Sequence, residues 1–89
     1  MNMNKMDAGL RKLVEESEKI NSMGKIAFLA KCNTDIDKDL LKRIRNTGVK
    51  ISTMVMDIFT AAGSYSAIKL LAEEDFIVKL EASKEYSLD

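Results

Sequence analysis

From Asp7 onward, Leu10, Leu13, Val14, Ser17 and Ile20 recur at steps of three and four residues. That spacing predicts a helix over 7–22, capped by Asp7 and leaving through Asn21 to Gly24. Residues 25–32, rich in Ile, Phe and Leu, then read as a strand too apolar to face water on both sides. A second helix opens at Thr34 or Asp35. Asp35, Asp37 and Asp39 crowd its first turn and Lys42, Arg43 and Arg45 its last, which complements the helix dipole. Ile36, Leu40 and Ile44 make its apolar stripe, Leu41 lies beside it, and Gly48 closes it.

Residues 49–56 alternate as a second strand. Asp57 sits in a tight turn, and 58–62 form a third strand that Gly63 interrupts. Ser64 or Ser66 opens a helix through Ile68, Leu71 and Ala72, and residues 76–81 form the last strand. After the leading helix the order is therefore β-α-β-β-α-β. With right-handed crossovers this is an α+β, ferredoxin-like antiparallel sheet with two helices on one face and an extra N-terminal helix. The expected boundaries are a flexible N-terminus over 1–6, one domain over 7–81 and a polar tail over 82–89.

Alternation assigns each strand residue to a face. Ile26, Phe28, Ala30, Val49, Ile51, Val55, Phe76, Val78 and Leu80 are expected under the helices. The opposite face then receives Ala27, Leu29, Ser52, Met54, Met56 and Ile77, with Lys79 and Glu81 at one end. Phe59 and Ala61 join them if the third strand keeps register. An uncovered apolar face of this kind usually marks a contact surface, and methionines repack readily within one. Two alternatives remain: the leading helix folds over that face, or two copies stack through it.

Composition narrows the chemistry. Fourteen basic side chains balance fourteen acidic ones, so the basic excess that nucleic-acid binding or an anionic membrane surface calls for is missing. No apolar run reaches the ~20 residues of a membrane span. Residues 1–7 are polar and lack a signal-peptide core, which predicts a cytoplasmic chain as written, or a secreted one whose leader has been removed. Cys32 is the single cysteine, placed in an apolar strand, and is expected to be buried. There is no histidine, so the commonest general base and metal ligand are both lacking. Asp35-x-Asp37-x-Asp39 opens like a calcium loop, but Leu40 stands where the glycine is needed and Asn46 where the final Glu is needed. No glycine cluster cradles phosphate, and the aromatic RNA-binding signature of some related sheets is absent. The expectation is a non-enzyme without cofactor or metal.

Three segments carry a resemblance. Across Met56-Asp57-Ile58-Phe59-Thr60-Ala61, and again across Ile77-Val78-Lys79-Leu80-Glu81-Ala82-Ser83, the chain resembles the N-terminal propeptides of subtilisin-like serine proteases. Asp7-Ala-Gly-Leu10-Arg11-Lys-Leu13 is similar to the leading helix of many bacterial members, so the likeness spans nearly the whole domain. It departs from the family at Ser64, where Pro is common, and at Phe76, where a polar residue is usual.

The resemblance implies a protease inhibitor and intramolecular chaperone whose partner is a subtilisin-like serine protease. Its open sheet face, at Leu29, Met54, Met56, Phe59 and Ile77, would pack on two surface helices of the protease. Glu81 would cap a helix N-terminus there. The tail, Tyr86, Ser87, Leu88 and Asp89, would lie in the active-site cleft, with Tyr86 in the fourth pocket and Asp89 beside the cut. The free chain would be a monomer. The alternative, a ferredoxin-like regulatory or dimerisation module, predicts a stable homodimer indifferent to loss of the tail.

Overall fold

A computed structural model describes residues 5–83. Seven elements follow one another: α1 (Ala8–Lys19), β1 (Ile26–Cys32), α2 (Lys38–Asn46), β2 (Lys50–Val55), β3 (Ile58–Gly63), α3 (Tyr65–Ala72) and β4 (Ile77–Ala82). The strands form one antiparallel sheet in the order β2-β3-β1-β4, the ferredoxin-like arrangement with a helix added in front.

Helix starts follow their side-chain caps. Asp7 Oδ1 accepts from the Leu10 amide at 2.8 Å, and Ser64 Oγ accepts from the Ala67 amide at 3.3 Å. The α2 cap differs from expectation: Asp37 Oδ1, rather than Thr34 or Asp35, accepts from the Leu40 amide at 2.9 Å. The cause is that the preceding backbone is held elsewhere. The Asn33 amide donates to the Phe76 carbonyl and the Ile36 amide to the Met56 carbonyl, so helical geometry begins only at Asp37. Gly48, with φ of 103°, ends α2 in the left-handed region that glycine adopts without strain.

All three helices pack against the same side of the sheet. Phe28, Phe59, Ile77 and Leu80 from the strands, Leu10 and Val14 from α1, Ile44 from α2 and Ile68 and Leu71 from α3 share one core and are all nearly or fully inaccessible. Helix α1 buries only Leu10 and Val14. Leu13 and Ile20, expected on its apolar stripe, are exposed. It lies beside α3, tied by the Glu18–Lys69 ion pair at 2.9 Å and by Tyr65 Oη donating to Asn21 Oδ1 at 2.9 Å. Gly63 ends β3 where side chains crowd: a Cβ there would stand 2.9 Å from Val49 Cγ1.

The folded domain begins before Asp7. Met6 is buried and bridges Leu80 in parallel, and the Asp7 amide donates to the Leu80 carbonyl at 2.9 Å. Lys5 Nζ also donates to the Glu74 carbonyl. Lys5 and Met6 therefore strap the outer edge of β4, and the expected flexible stretch does not include them.

Two register breaks decide which way side chains point. On β2 the pairing passes from Ile51↔Ala61 to Thr53↔Thr60, leaving Ser52 as an extra residue. On β4 it passes from Lys79↔Lys31 to Ile77↔Cys32, leaving Val78 extra. Because side chains alternate with period two, one extra residue reverses the facing of everything beyond it.

Candidate functional site

Among the described residues one face of the sheet is bare, and the pairing register defines it, since directly opposed residues share a face. Three rows cross the strands. Nearest the β2–β3 turn stand Val55, Ile58, Lys31 and Lys79. The next row holds Thr53, Thr60, Leu29 and Glu81, and the third holds Lys50, Ala62 and Ala27. Ile58 is 39% exposed and Val55 67%, while Leu29, Ala27 and Ala62 are half-buried by their neighbours. Helix α1 does not reach this face. Its buried residues belong to the core on the other side, and a Cβ on Gly9 would meet Ala82, which pairs with core-facing Phe28.

Polar groups on the bare face are partly satisfied by one another. The Thr53 and Thr60 hydroxyls lie 2.6 Å apart, and Lys79 Nζ lies 3.0 Å from the Glu81 carboxylate. That hydrogen bond and the Glu81 charge raise the Lys79 pKa above its ordinary value. Lys31 and Lys50 have no ion-pair partner among the described residues.

The five residues expected on this face separate. Leu29 lies on it, half-buried, opposite Glu81. Met54 pairs with Phe59 on the helix side, where its place on the outermost strand leaves it 42% exposed. Met56 is in the turn, at φ of 57° and 72% exposed. Phe59 is fully buried, its ring edge-on to Phe28 with centroids 6.3 Å apart. Ile77 is 1% exposed, opposite Cys32.

The two bulges explain these corrections. Ser52 turns Met54 inward and Val55 outward, and the two-residue turn carries the same inversion into β3, so Ile58 faces out and Phe59 in. Val78 does the same for Ile77. The apolar residues missed were therefore Val55 and Ile58, with exposed Val78 at the bulge. One readable signal was Thr60, a polar residue on a central strand, which places its neighbours Phe59 and Ala61 on the opposite, buried face.

Glu81 stands on the bare face within β4, one residue before the strand ends. Tyr86, Ser87, Leu88 and Asp89 lie outside the described residues. The sheet's last contact before them is the Ser83 amide donating to the Ala27 carbonyl, at the end away from the β2–β3 turn.

Cys32 is buried, its thiol pushed up to about 11 by desolvation and then by the Asp57 charge, which leaves little reactive thiolate at neutral pH. Asp37 is engaged as a helix cap, and no group of three or more metal-capable side chains occurs among the described residues. Among those residues, too, no helix is long and apolar enough to cross a membrane. A shallow hollow of about 330 Å³ lies along α2, lined by Lys38, Leu41, Lys42, Arg45 and Asn46. Comparison with protein-family models, with curated proteins and with solved structures gives no match.

Proposed function

We propose that this chain is a non-catalytic inhibitor of a subtilisin-like serine protease, docking by its bare sheet face and placing residues 84–89 in the active-site cleft. The observation that carries the reading is the uncovered face: three helices crowd one side of the sheet and none covers Leu29, Val55 and Ile58. Two of the three segments that resemble protease propeptides coincide with the β2–β3 turn and β3, and with β4, so they frame that face. Leu29, Val55 and Ile58 make contact, Met56 extends the patch at the turn, and Phe59 and Ile77 support it from the core.

Magnitudes assign the tail a large share. Four strands about 4.8 Å apart, over about five residues at 3.3 Å each, project roughly 300 Å². A typical protease–inhibitor interface buries about 800 Å² per partner. The tail and the turn would supply the difference, the tail by adding a strand to the cleft through backbone hydrogen bonds. Docking of the folded face holds the tail at high effective concentration. A protease that binds only the folded chain also stabilises it by linkage, and a chaperone role follows if the chain in turn favours the native protease over its unfolded forms.

The test is titration of subtilisin-type proteases with the chain intact and ended at Ser83. Inhibition that is lost on truncation, together with a higher melting temperature of the complex, is the expected result. A stable homodimer that inhibits none of them would favour the regulatory-module alternative.

A further inference from the structure

We infer that the bare face engages a protein surface that is apolar and flanked by carboxylates, one of which sits against Lys31 and Lys79. This rests on the docking reading only in taking that face as the engaged one. Lys31 and Lys79 are directly opposed on adjacent strands. At a cross-strand separation of about 5 Å, like charges repel and cost stability without return to the isolated chain.

The acids among the described residues leave Lys31 without an ion pair, although the Asp7 charge also favours the charged form of Lys79. Glu81 pairs with Lys79 at 3.0 Å and stands one row further along, opposite Leu29. Asp57 acts on the buried Cys32 thiol, which belongs to the covered side. Arg43–Glu74 and Lys69–Glu18 likewise occupy acids among the helices. One positive charge at Lys31 thus remains unmatched among the described residues, in one row with exposed Ile58 and Val55.

Charge also selects the occupant. The chain is neutral overall, yet among the described residues this face carries Lys31, Lys50 and Lys79 against Glu81. Two copies stacked through it would bring three lysines and one glutamate from each side together, an unfavourable juxtaposition. A partner that presents apolar side chains to Leu29, Val55 and Ile58 gains their burial. It must also answer Lys31 as water leaves, because a desolvated ammonium without a counter-charge opposes binding. The lysine stems cover apolar surface while their heads reach the rim, where a Glu or Asp meets them.

The test titrates isotope-labelled intact chain with two amphipathic helical peptides of identical apolar face, one flanked by Glu and the other by Lys, following amide shifts. The Glu peptide should bind at least tenfold more tightly and shift Leu29, Lys31, Ile58 and Lys79. Lys31→Gln and Lys79→Gln should each cut that preference several-fold, Lys50→Gln should leave most of it, and high salt should erase it. Equal binding of the two peptides, binding of neither, or shifts confined to the helical side would overturn the inference. If the preference holds while no subtilisin-type protease is inhibited, the carboxylate-bearing partner stands and the protease reading falls.

Discussion

The covered and bare faces of the sheet come from the same four strands but hold their residues by different means. On the covered face, Phe28, Phe59, Ile77 and Leu80 lie at 0–1% exposure, fixed by packing against three helices. On the bare face, Leu29 and Ile58 are sheltered only by strand neighbours, and polar contacts such as Thr53–Thr60 and Lys79–Glu81 keep order among them. The two raised pKa values show the same division. Burial is the first cause for Cys32 and a carboxylate partner is the first cause for Lys79. Packing against helices holds one face, and contacts between strand neighbours hold the other.

The sharpest way to break this comparison is to truncate neighbours on opposite faces. Phe59→Ala removes a fully buried ring in edge contact with Phe28 and should cost about 3–5 kcal/mol. A domain of this length has little more than that to lose, so much of the population should unfold. Ile58→Ala, one residue earlier and 39% exposed, should cost less than about 1 kcal/mol. Urea denaturation measures both. A larger loss at Ile58 than at Phe59 would mean that β3 faces the other way.

That pair also separates what could be read in the sequence from what could not. β1 was fully legible: Ile26, Phe28, Ala30 and Cys32 face the helices, as strict alternation requires. Element order, the Asp7 cap and the Gly48 stop were legible for the same reason, since each rests on local chemistry. The faces of β2, β3 and the start of β4 were not. Each depends on a single extra residue, Ser52 or Val78, and neither carries a side chain that announces a bulge. Pairing with a neighbouring strand creates the bulge, so it belongs to tertiary structure, and its error spreads along the strand and through the turn. The Met6 strap was hidden in the same way, because a polar N-terminal stretch shows no sign of the sheet edge it will meet.

A smaller effect sharpens the contrast through pH. The Cys32 thiol ionises in the fold only near about 11, against about 9 when exposed. Between those values the unfolded chain releases a proton that the folded chain retains, so this contribution is complete below about pH 9 and is lost as pH rises through about 11. The loss should amount to roughly 3 kcal/mol. Stability measured in urea across this range should decline less steeply in Cys32→Ala. Parallel decline in both proteins would show that burial on the covered face does not hold the thiol neutral.

The smallest expected effect reverses sign between the free and bound chain. Lys31 faces Lys79 across β1 and β4, so Lys31→Glu replaces repulsion with attraction. Opposed charges on paired strands are worth about 0.2–1 kcal/mol, and the gain should fall at the lower end because Glu81 already holds Lys79. Lys50→Glu is the control, since Lys50 faces Ala62 and has no cross-strand lysine to relieve. A modest rise in melting temperature for Lys31→Glu, absent for Lys50→Glu and suppressed at 1 M salt, would locate the repulsion at the first row. The same substitution should weaken binding to a Glu-flanked helix, because it removes the charge that such a surface answers. A residue that lowers the stability of the free fold and strengthens its contact is one kept for the contact. If Lys31→Glu instead left the free fold unchanged and bound the Glu-flanked helix as well as the parent chain does, the two lysines would be ordinary solvated charges and the bare face would lose its electrostatic selectivity.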